Sequence, residues 1–352
     1  MGTKFILHYG LVAGISYYYS LSLRNLGINS INVVPSSDDS NALDPGDSNR
    51  QLPYNRALYP PTAPKFNKFI RRLDFSLRTL RNCGLIHFYS NSIFHGYDSQ
   101  IFSRAGIPQI ISWAGGDARI ISIARKNNPY FFMMPDEARD KETRRRLARL
   151  SKGIRYVATD PEMAEYSLPY FEKVFIIPQP IDLHDIVYQL PQKSSRPPVV
   201  MHIPTRREVK GTAYIEAAVE RLQSEGFSLD FKVFKPVYTQ KQVREMIATA
   251  DIYIDELRCG SYGMTAVEAM ASGKPTITYI REDLLEKYPA NLPLVNANPD
   301  TIYAKLKELV VDVELRREIG EKSRKYIEAH HTLEVIGSQL LQIYKDIGFR
   351  PD

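Results

Sequence analysis

The chain has 352 residues, 43% of them hydrophobic and 24% charged, and a formal net charge of +6. This length predicts about two globular domains. No apolar run reaches the roughly 18–20 residues that a membrane-spanning helix needs, and the N-terminus lacks the pattern of a signal peptide. The two cysteines, Cys83 and Cys259, are too few for a disulfide framework or a metal cluster. We therefore expect a cytoplasmic protein of two domains.

The first half of the chain alternates strand-like and helix-like segments. The strand-like runs lie at 4–9, 31–34, 85–89, 108–113, 154–159 and 174–177. Gly10 and Gly14 follow the first run, where glycines either let an acceptor or a diphosphate approach the backbone or simply form a tight turn. A helix-like segment at 14–26 comes next. The polar, proline-rich segment at 35–64 is long for a loop, and such loops are usually functional or mobile.

Two segments of the first half are strongly basic. Residues 65–81 read as an amphipathic helix, and its apolar face is formed by Phe66, Phe69, Ile70, Leu73, Leu77 and Leu80. A second basic segment spans 139–152. They predict either two solvated surface helices or attachment to an anionic membrane surface. We expect no nucleic-acid partner, because aromatic residues are not interleaved with the charges as stacking platforms would require.

The second half repeats the alternation after a polar connector at about 182–197. Strand-like and helix-like segments alternate from 198 to 280, and three helix-like segments close the chain at 299–310, 313–329 and 332–346. This rhythm predicts an α/β fold of parallel sheets covered on both faces. Two such sheets form two lobes with a cleft, in which ligands bind outside the carboxyl ends of the strands.

Two loops at predicted strand ends carry the residues that suggest a ligand. In MHIPTRREVKGT (201–212), Arg206, Arg207 and Lys210 lie between a strand and a helix and suit a diphosphate. In GSYGMTAVEAMASGKPTITYI (260–280), a glycine loop opens a helix that carries Glu268 about one turn later. A helix N-terminus favours phosphate, and a carboxylate one turn on suits ribose hydroxyls. Together the loops predict a nucleotide-diphosphate ligand.

These loops resemble motifs of the retaining glycosyltransferases of family 4, which have the GT-B fold of two Rossmann-like lobes. RREVKG is similar to the family's Arg-to-Lys-Gly donor-phosphate motif, and GSYGMTAVEAMASGKPTI is similar to EGFGLPxLEAMAxGxPVI. Looser likenesses are IIPQPID, ELRREIGEKSRKYIEAHHT, GLIHFYS and ISWAGGDAR. The resemblance is strong over 154–347 and weaker over 1–153.

The resemblance also implies a domain plan. It gives an acceptor-side lobe at 1–180, a linker at about 181–197, and a donor lobe for the nucleotide sugar at 198–331. A final helix at about 332–350 is expected to pack back on the first lobe.

The resemblance implies roles for the donor-lobe residues. Lys210 and either Arg206 or Arg207, with Arg207 preferred, would neutralise the donor diphosphate. Glu268 would accept hydrogen bonds from the ribose, and backbone N–H groups around Gly263 and Met264 would hold phosphate or sugar oxygens. Fixed cations and a helix N-terminus can stabilise a departing nucleoside diphosphate without a metal. We therefore expect no metal and no cofactor, the nucleotide sugar being the donor substrate.

Site residues are harder to assign in the first lobe, where the resemblance is weaker. Many relatives have a His near the sugar, whereas this chain has Asp117, which we expect to be catalytic by contacting a sugar hydroxyl. Arg119 would bind the acceptor or a phosphate, together with Gly10 and Gly14. Alternatively, Asp117 and Arg119 could have a structural role as capping and charged residues at the following helix. The lone histidines of this lobe are more often structural; they are His8, His87 and His95.

One position departs from the family motif. Relatives carry two glutamates with seven residues between them, and Gly260, eight positions before Glu268, replaces the first of them. That glutamate usually contacts the donor sugar, so its loss leaves the identity of the sugar open. Asp255 and Glu256 lie just upstream, at a strand end that need not reach the same place.

We expect a retaining glycosyltransferase that moves a sugar, UDP-linked by preference, to a hydroxyl acceptor. The acceptor would be a glycan, a lipid-linked molecule or a small molecule of cell-surface polysaccharide, glycolipid or glycoconjugate synthesis. The basic helices would then attach the enzyme peripherally to the inner face of the membrane. Two alternatives are a non-hydrolysing nucleotide-sugar epimerase and a catalytically inactive GT-B partner subunit. A nicotinamide dehydrogenase is disfavoured, because no G-x-G-x-x-G follows the first strand.

Overall fold

The computed structural model describes residues 4–36, 54–113, 115–193, 196–234 and 239–350. Most of the proline-rich segment predicted at 35–64 lies outside these residues. Two parallel sheets form two lobes, which confirms the predicted α/β architecture.

The first lobe is built on a seven-stranded sheet in the order β3-β2-β1-β4-β5-β6-β7, with every neighbouring pair parallel. Its strands are β1 Phe5–Tyr9, β2 Ser30–Ser36, β3 Arg56–Tyr59, β4 Cys83–Tyr89, β5 Gln109–Ser112, β6 Tyr156–Thr159 and β7 Lys173–Ile176. The central strands read as continuous apolar runs because helices cover both faces of a parallel sheet. Leu7 and Ile86 enter one core cluster and their neighbours Ile6 and Leu85 enter the other, as a period of two requires.

Helices connect these strands. They are α1 Ile15–Asn25, α2 Lys65–Asn82, α3 Ser99–Arg104, α4 Ile121–Asn127, α5 Glu137–Leu150 and α6 Pro161–Ser167. The start of α6 follows from local sequence: Asp160 accepts N–H groups of Glu162 and Met163 as the N-cap, and Pro161 occupies the first helical turn.

The second lobe is built on a five-stranded parallel sheet in the order β12-β11-β10-β8-β9. Its strands are β8 Val199–His202, β9 Asp230–Val233, β10 Ile252–Ile254, β11 Thr276–Thr278 and β12 Val295–Asn296. Its helices are α7 Arg207–Lys210, α8 Thr212–Ser224, α9 Gln240–Ala248, α10 Met264–Ala271, α11 Glu282–Leu285, α12 Ile302–Val311 and α13 Val313–His330.

The last helix, α14 Leu333–Asp346, returns to the first lobe. It packs against α1, and Ile336, Leu340 and Tyr344 belong to the first-lobe core. The hydroxyl group of Tyr344 lies 2.6 Å from Nδ1 of the buried His87. The chain thus crosses between the lobes twice, which joins the C-terminus to the lobe that begins the chain.

Candidate functional site

A cavity of about 270 Å³ lies between the lobes, where strands of both sheets end. The first lobe contributes the β1–α1 loop and the ends of β4, β5 and β6, represented by Ala13, Tyr89, Trp113 and Asp160. The second lobe contributes Thr205, Lys210, Gly263, Met264 and Thr265. The two loops singled out in the sequence therefore meet at one cavity, at the place where open α/β sheets bind ligands.

Lys210 is fixed at the second-lobe side of this cavity by Asp255. Its Nζ lies 2.8 Å from Asp255 Oδ1, and this carboxylate is buried at the end of β10. Asp255 also accepts the hydroxyl of Thr265 at 2.8 Å and the N–H of Gly263 at 3.3 Å. One carboxylate thus ties the basic loop to the first turn of α10, so the cation and the helix N-terminus face the cavity together.

The charges in this cluster shift one another's pKa. Burial alone would lower the pKa of Lys210, but the carboxylates of Asp255 and Glu256 raise it above its ordinary value. Burial alone would raise the pKa of Asp255, but the ion pair with Lys210 lowers it. Burial raises the pKa of Glu256 to about 7. The arrangement therefore keeps Lys210 charged at neutral pH and offers a fixed cation to the cavity.

Glu268 lies one turn into α10 and is buried. Its Oε1 accepts hydrogen bonds from Arg244 Nε at 2.9 Å and Gln240 Nε2 at 3.0 Å, both from α9. Arg244 Nη2 in turn donates to the hydroxyl of Tyr18 on α1 at 3.2 Å. Glu268, the residue predicted to bind the ribose, is therefore the centre of a hydrogen-bond network that reaches the first lobe.

Gly260 has a structural reason to be glycine. Its φ of +92° lies in the left-handed region, and an added Cβ would stand 2.8 Å from Cγ of Arg281. Arg281 is held there by Asp283 and by Glu165 of the first lobe, each 2.6 Å from Nη2. A side chain at this position, which carries a glutamate in the family motif, would therefore have to displace Arg281.

We expect Gly260→Ala to destabilise the protein by about 2–4 kcal/mol, the sum of a left-handed backbone cost and a steric clash in a packed site. Gly226→Ala is the matched control, because Gly226 has a similar φ of +88° but no atom within 4 Å of the added Cβ. Urea unfolding measures the loss of unfolding free energy in both variants, and the difference between the two losses is the cost of the steric clash. Equal losses of unfolding free energy would show that Arg281 yields without cost.

Several predicted site residues lie outside the interlobe cavity. Arg206 and Arg207 are exposed, and Arg207 Nη2 pairs with Glu216 on α8 at 2.6 Å. Arg119 is held in a bidentate ion pair with Glu162, with N···O distances of 2.6 and 2.7 Å. Of the three cations of the basic loop, Lys210 is the one that lines the cavity, and Arg119 braces α6. A ligand contact of Arg206, Arg207 or Arg119 stays a prediction.

Three other predicted residues lie at the carboxyl edge of the first-lobe sheet. Asp117 is buried and accepts the hydroxyl of Ser90 at 2.6 Å and the N–H of Gly115 at 2.8 Å. It lines a separate first-lobe cavity together with Gly10, not the cavity that contains Lys210. Gly14 is left-handed and precedes α1. The structure thus separates Asp117 from the donor-side residues with which it was grouped.

Two functional candidates escaped the sequence analysis. Asp160, at the end of β6, faces the interlobe cavity, and burial raises the pKa of its carboxyl group to about 6. Its position directly after a predicted strand was the available signal. Arg244 could not have been found in this way, because its contacts with Glu268 and Tyr18 join residues far apart in the chain.

No group of three or more His, Cys, Asp or Glu residues within the described ranges is arranged to hold a metal ion. Two histidines of the first lobe have structural partners: His8 Nδ1 lies 2.7 Å from the hydroxyl of Tyr89, and His87 Nε2 lies 2.7 Å from Ser112 Oγ. Among the helices of the described residues, none combines the length and apolarity needed to cross a membrane.

Comparison with known proteins agrees with this geometry. Residues 193–326 match the family described as Glycosyl transferases group 1. No curated protein sequence matches the chain. Sucrose-phosphate synthase from Thermosynechococcus elongatus superposes with a TM-score of 0.64 at 15% identity, over 98% of this chain and 99% of that one. Anabaena HepE in complex with UDP and glucose gives 0.64 at 10% identity, over 97% and 100%.

A third similar structure is WaaG, a glycosyltransferase involved in lipopolysaccharide biosynthesis, with a TM-score of 0.56 at 11% identity over 96% of this chain and 99% of that one. The fold and the enzyme class expected from the sequence are both confirmed. The protein has the GT-B fold, and the match of residues 193–326 to the Glycosyl transferases group 1 family supports a glycosyltransferase.

Proposed function

We propose that the protein transfers a sugar from a nucleotide diphosphate, by preference UDP, to a hydroxyl acceptor with retention of anomeric configuration. The observation that carries this proposal is Lys210, fixed by Asp255 beside Gly263 at the interlobe cavity. The donor diphosphate would lie against this cation and the first turn of α10. The described chain offers no second cation at that cavity, so Lys210 carries most of the expected charge stabilisation.

The chemistry follows from the leaving group. Departure of a nucleoside diphosphate builds negative charge, and a preorganised cation with a helix N-terminus stabilises it without reorganisation. Glu268 lies one turn beyond Met264 and Thr265, the residues of α10 that line the cavity. It would take the ribose hydroxyls through its second oxygen, since its first is occupied by Arg244 and Gln240. No step in this scheme requires a metal ion or a cofactor.

UDP is the preferred nucleotide because structures of Anabaena HepE contain UDP, UDP-glucose, or UDP with glucose. A cell-surface glycan or a lipid-linked acceptor is the preferred class because WaaG acts in lipopolysaccharide biosynthesis. These proteins share the fold at low identity, so they guide the choice of substrates to test.

The direct test is to incubate purified protein with a panel of nucleotide sugars and follow release of UDP, GDP and dTDP. Release of one nucleotide that depends on an added hydroxyl acceptor supports the proposal. An epimerase would interconvert the sugar while keeping the nucleotide attached. An inactive partner subunit would bind nucleotide and release none with any donor or acceptor.

We also propose peripheral attachment to an anionic membrane through α2. This helix shows its apolar face to solvent: Phe66 is 72% exposed and Leu77 is 51% exposed, with Phe69, Ile70 and Leu73 exposed between them. The side of α2 that packs on the lobe is formed by the buried Ser76 and Thr79 and the partly buried Phe75 and Leu80. An apolar stripe flanked by lysine and arginine suits the interface of an anionic bilayer.

The double variant Phe66→Ser/Leu77→Ser should bind vesicles containing anionic lipid at least about tenfold more weakly, since burying each apolar side chain is worth roughly 1.5–3 kcal/mol. The measurement is co-sedimentation with vesicles at low and high salt. Val311→Ser is the control, because Val311 is 60% exposed on the second lobe. Equal binding by all three proteins, or no binding by the wild type, removes membrane attachment through α2.

A further inference from the structure

The first lobe contains a second cavity, of about 320 Å³, beyond the carboxyl ends of β1 and β4. Arg72 of α2 and Arg146 of α5 line it from different helices, together with Ser92 and His95. Tyr89 lines both this cavity and the interlobe cavity, so the two are neighbours. A molecule bound here would therefore lie beside the donor site.

One cationic donor of this cavity is left unsatisfied. Arg146 Nε is buried and has no hydrogen-bond partner in the part of the chain that the structure describes. Arg72 is oriented by the hydroxyl of Tyr59, which accepts from Nε at 3.1 Å and Nη2 at 2.6 Å. A buried guanidinium nitrogen without a partner is costly, and an anion is the ligand that would satisfy it.

The other titratable groups of the cavity are consistent with a net positive site. Asp117 already accepts hydrogen bonds from Ser90 and Gly115. Burial lowers the pKa of His95, as do the nearby Arg72 and Arg149, so at neutral pH its ring is uncharged and can still donate. The cavity is therefore lined by two positively charged guanidinium groups and one negatively charged carboxylate.

The backbone of this cavity is also strained. Among the described residues other than glycine, four have a positive φ, and two of these, Ser90 at 63° and His95 at 54°, line this cavity. Such conformations cost about 1–3 kcal/mol each and cluster at ligand sites. Both lie in the 90–95 segment, which lines the cavity together with the two arginines.

We propose that this cavity is the acceptor subsite for a phosphate group, held between the guanidinium groups of Arg72 and Arg146. Guanidinium forks match phosphate oxygens in geometry and charge. The inference rests on the proposed function, since it names the class of acceptor for the same enzyme: a hydroxylated molecule that carries a phosphate. That phosphate belongs to a lipid carrier or to a soluble sugar phosphate.

The first experiment uses inorganic phosphate as the probe. Protein saturated with UDP, which fills the donor site, is titrated with phosphate while binding is followed by NMR or calorimetry. We expect wild-type protein to bind, and Arg146→Gln to bind at least about tenfold more weakly, the size of a lost charged hydrogen bond. Arg145→Gln is the matched control, because Arg145 is an exposed neighbour on α5 that does not line the cavity.

Folding is checked by the melting temperature of each variant. Arg146→Gln removes the unpaired Nε and keeps a neutral donor near Asp117, so its melting temperature should stay close to that of wild type, whereas loss of a structural arginine would lower it. Arg146→Lys, which keeps the charge without the fork, should bind phosphate with intermediate affinity. Phosphate binding that is absent, or equal in wild type and Arg146→Gln, overturns the proposal; weak binding lost equally in Arg145→Gln identifies an adventitious ion only.

The source of the phosphate is separated by competition. Glycerol 3-phosphate represents the soluble source, and vesicles containing phosphatidic acid represent the lipid source; displacement of inorganic phosphate by either supports the subsite and names its source. Displacement by neither overturns it. The UDP titration itself tests the donor site, so protein that binds UDP but not phosphate retains the proposed function and loses only this inference.

Discussion

Replacing Lys210 with alanine should lower the turnover number by at least about 10²-fold, which is the usual loss when one group that stabilises an oxyanion is removed. The side chain lies at the interlobe cavity, and Asp255 and Glu256 keep it charged. Because the negative charge on the diphosphate grows as the sugar leaves, the transition state loses more than the bound donor does. The measurement is nucleotide release at saturating donor concentration.

Loss of stability must be separated from loss of chemistry in this variant. Lys210→Ala leaves the carboxylate of Asp255 buried without its cation, and breaking such a pair costs roughly 3–5 kcal/mol. Lys210→Gln keeps a hydrogen-bond donor for Asp255 and should fold better, yet show the same fall in turnover. Lys305→Ala, which removes an exposed lysine of α12, is the control. Turnover near that of wild type in Lys210→Gln would refute the assignment of the donor site.

The second large effect is expected at Glu268. Glu268→Ala leaves the buried Arg244 with only the exposed carboxylate of Asp185, 3.5 Å away, so the free energy of unfolding should fall by roughly 3–5 kcal/mol. Glu268→Gln keeps a neutral acceptor for Arg244 and should lose less. Urea unfolding measures both losses. Glu245→Gln on the exposed side of α9 provides the reference for a glutamate without a buried partner.

The ribose role of Glu268 needs its own measurement. If the carboxylate accepts a ribose hydroxyl, wild-type protein should bind UDP about tenfold or more tightly than 2′-deoxy-UDP, because a hydrogen bond to a charged group is worth roughly 1.5–3 kcal/mol. Glu268→Gln should reduce this ratio of dissociation constants towards one. A ratio that is the same in both proteins would leave Glu268 a structural residue that anchors Arg244.

The helix α2 shows what the hydrophobic pattern of the sequence can predict and what it cannot. The sequence predicted an amphipathic helix at 65–81 but left open whether its apolar face is covered. The structure exposes most of this face but packs Leu80 partly against the core, where Phe75 and the buried Ser76 and Thr79 also face inward. Periodicity defines which residues share a face, whereas the surrounding elements decide which face is buried.

The cations of the basic loop make the same point. Arg206, Arg207 and Lys210 are equivalent as charges near a strand end, so the sequence favoured a joint role. Arg207 forms an ion pair with Glu216 on α8 and lies outside the cavity. Lys210 forms an ion pair with Asp255 at the end of β10 and lines the cavity. The carboxylates on these other elements therefore determine which cation lines the cavity. A local sequence motif cannot include them, because they lie far away along the chain.

The sequence by itself determined the two parallel-sheet lobes, since buried parallel strands must be continuous apolar runs and the helices between them must be amphipathic. It also determined the glycine loop and the helix that carries Glu268. Only the tertiary structure decided that Lys210 faces the cavity, that Arg119 is held by Glu162, and that Arg281 closes the space at Gly260. The physical reason is that ion pairs and steric contacts between distant elements depend on how those elements pack, which no local pattern records.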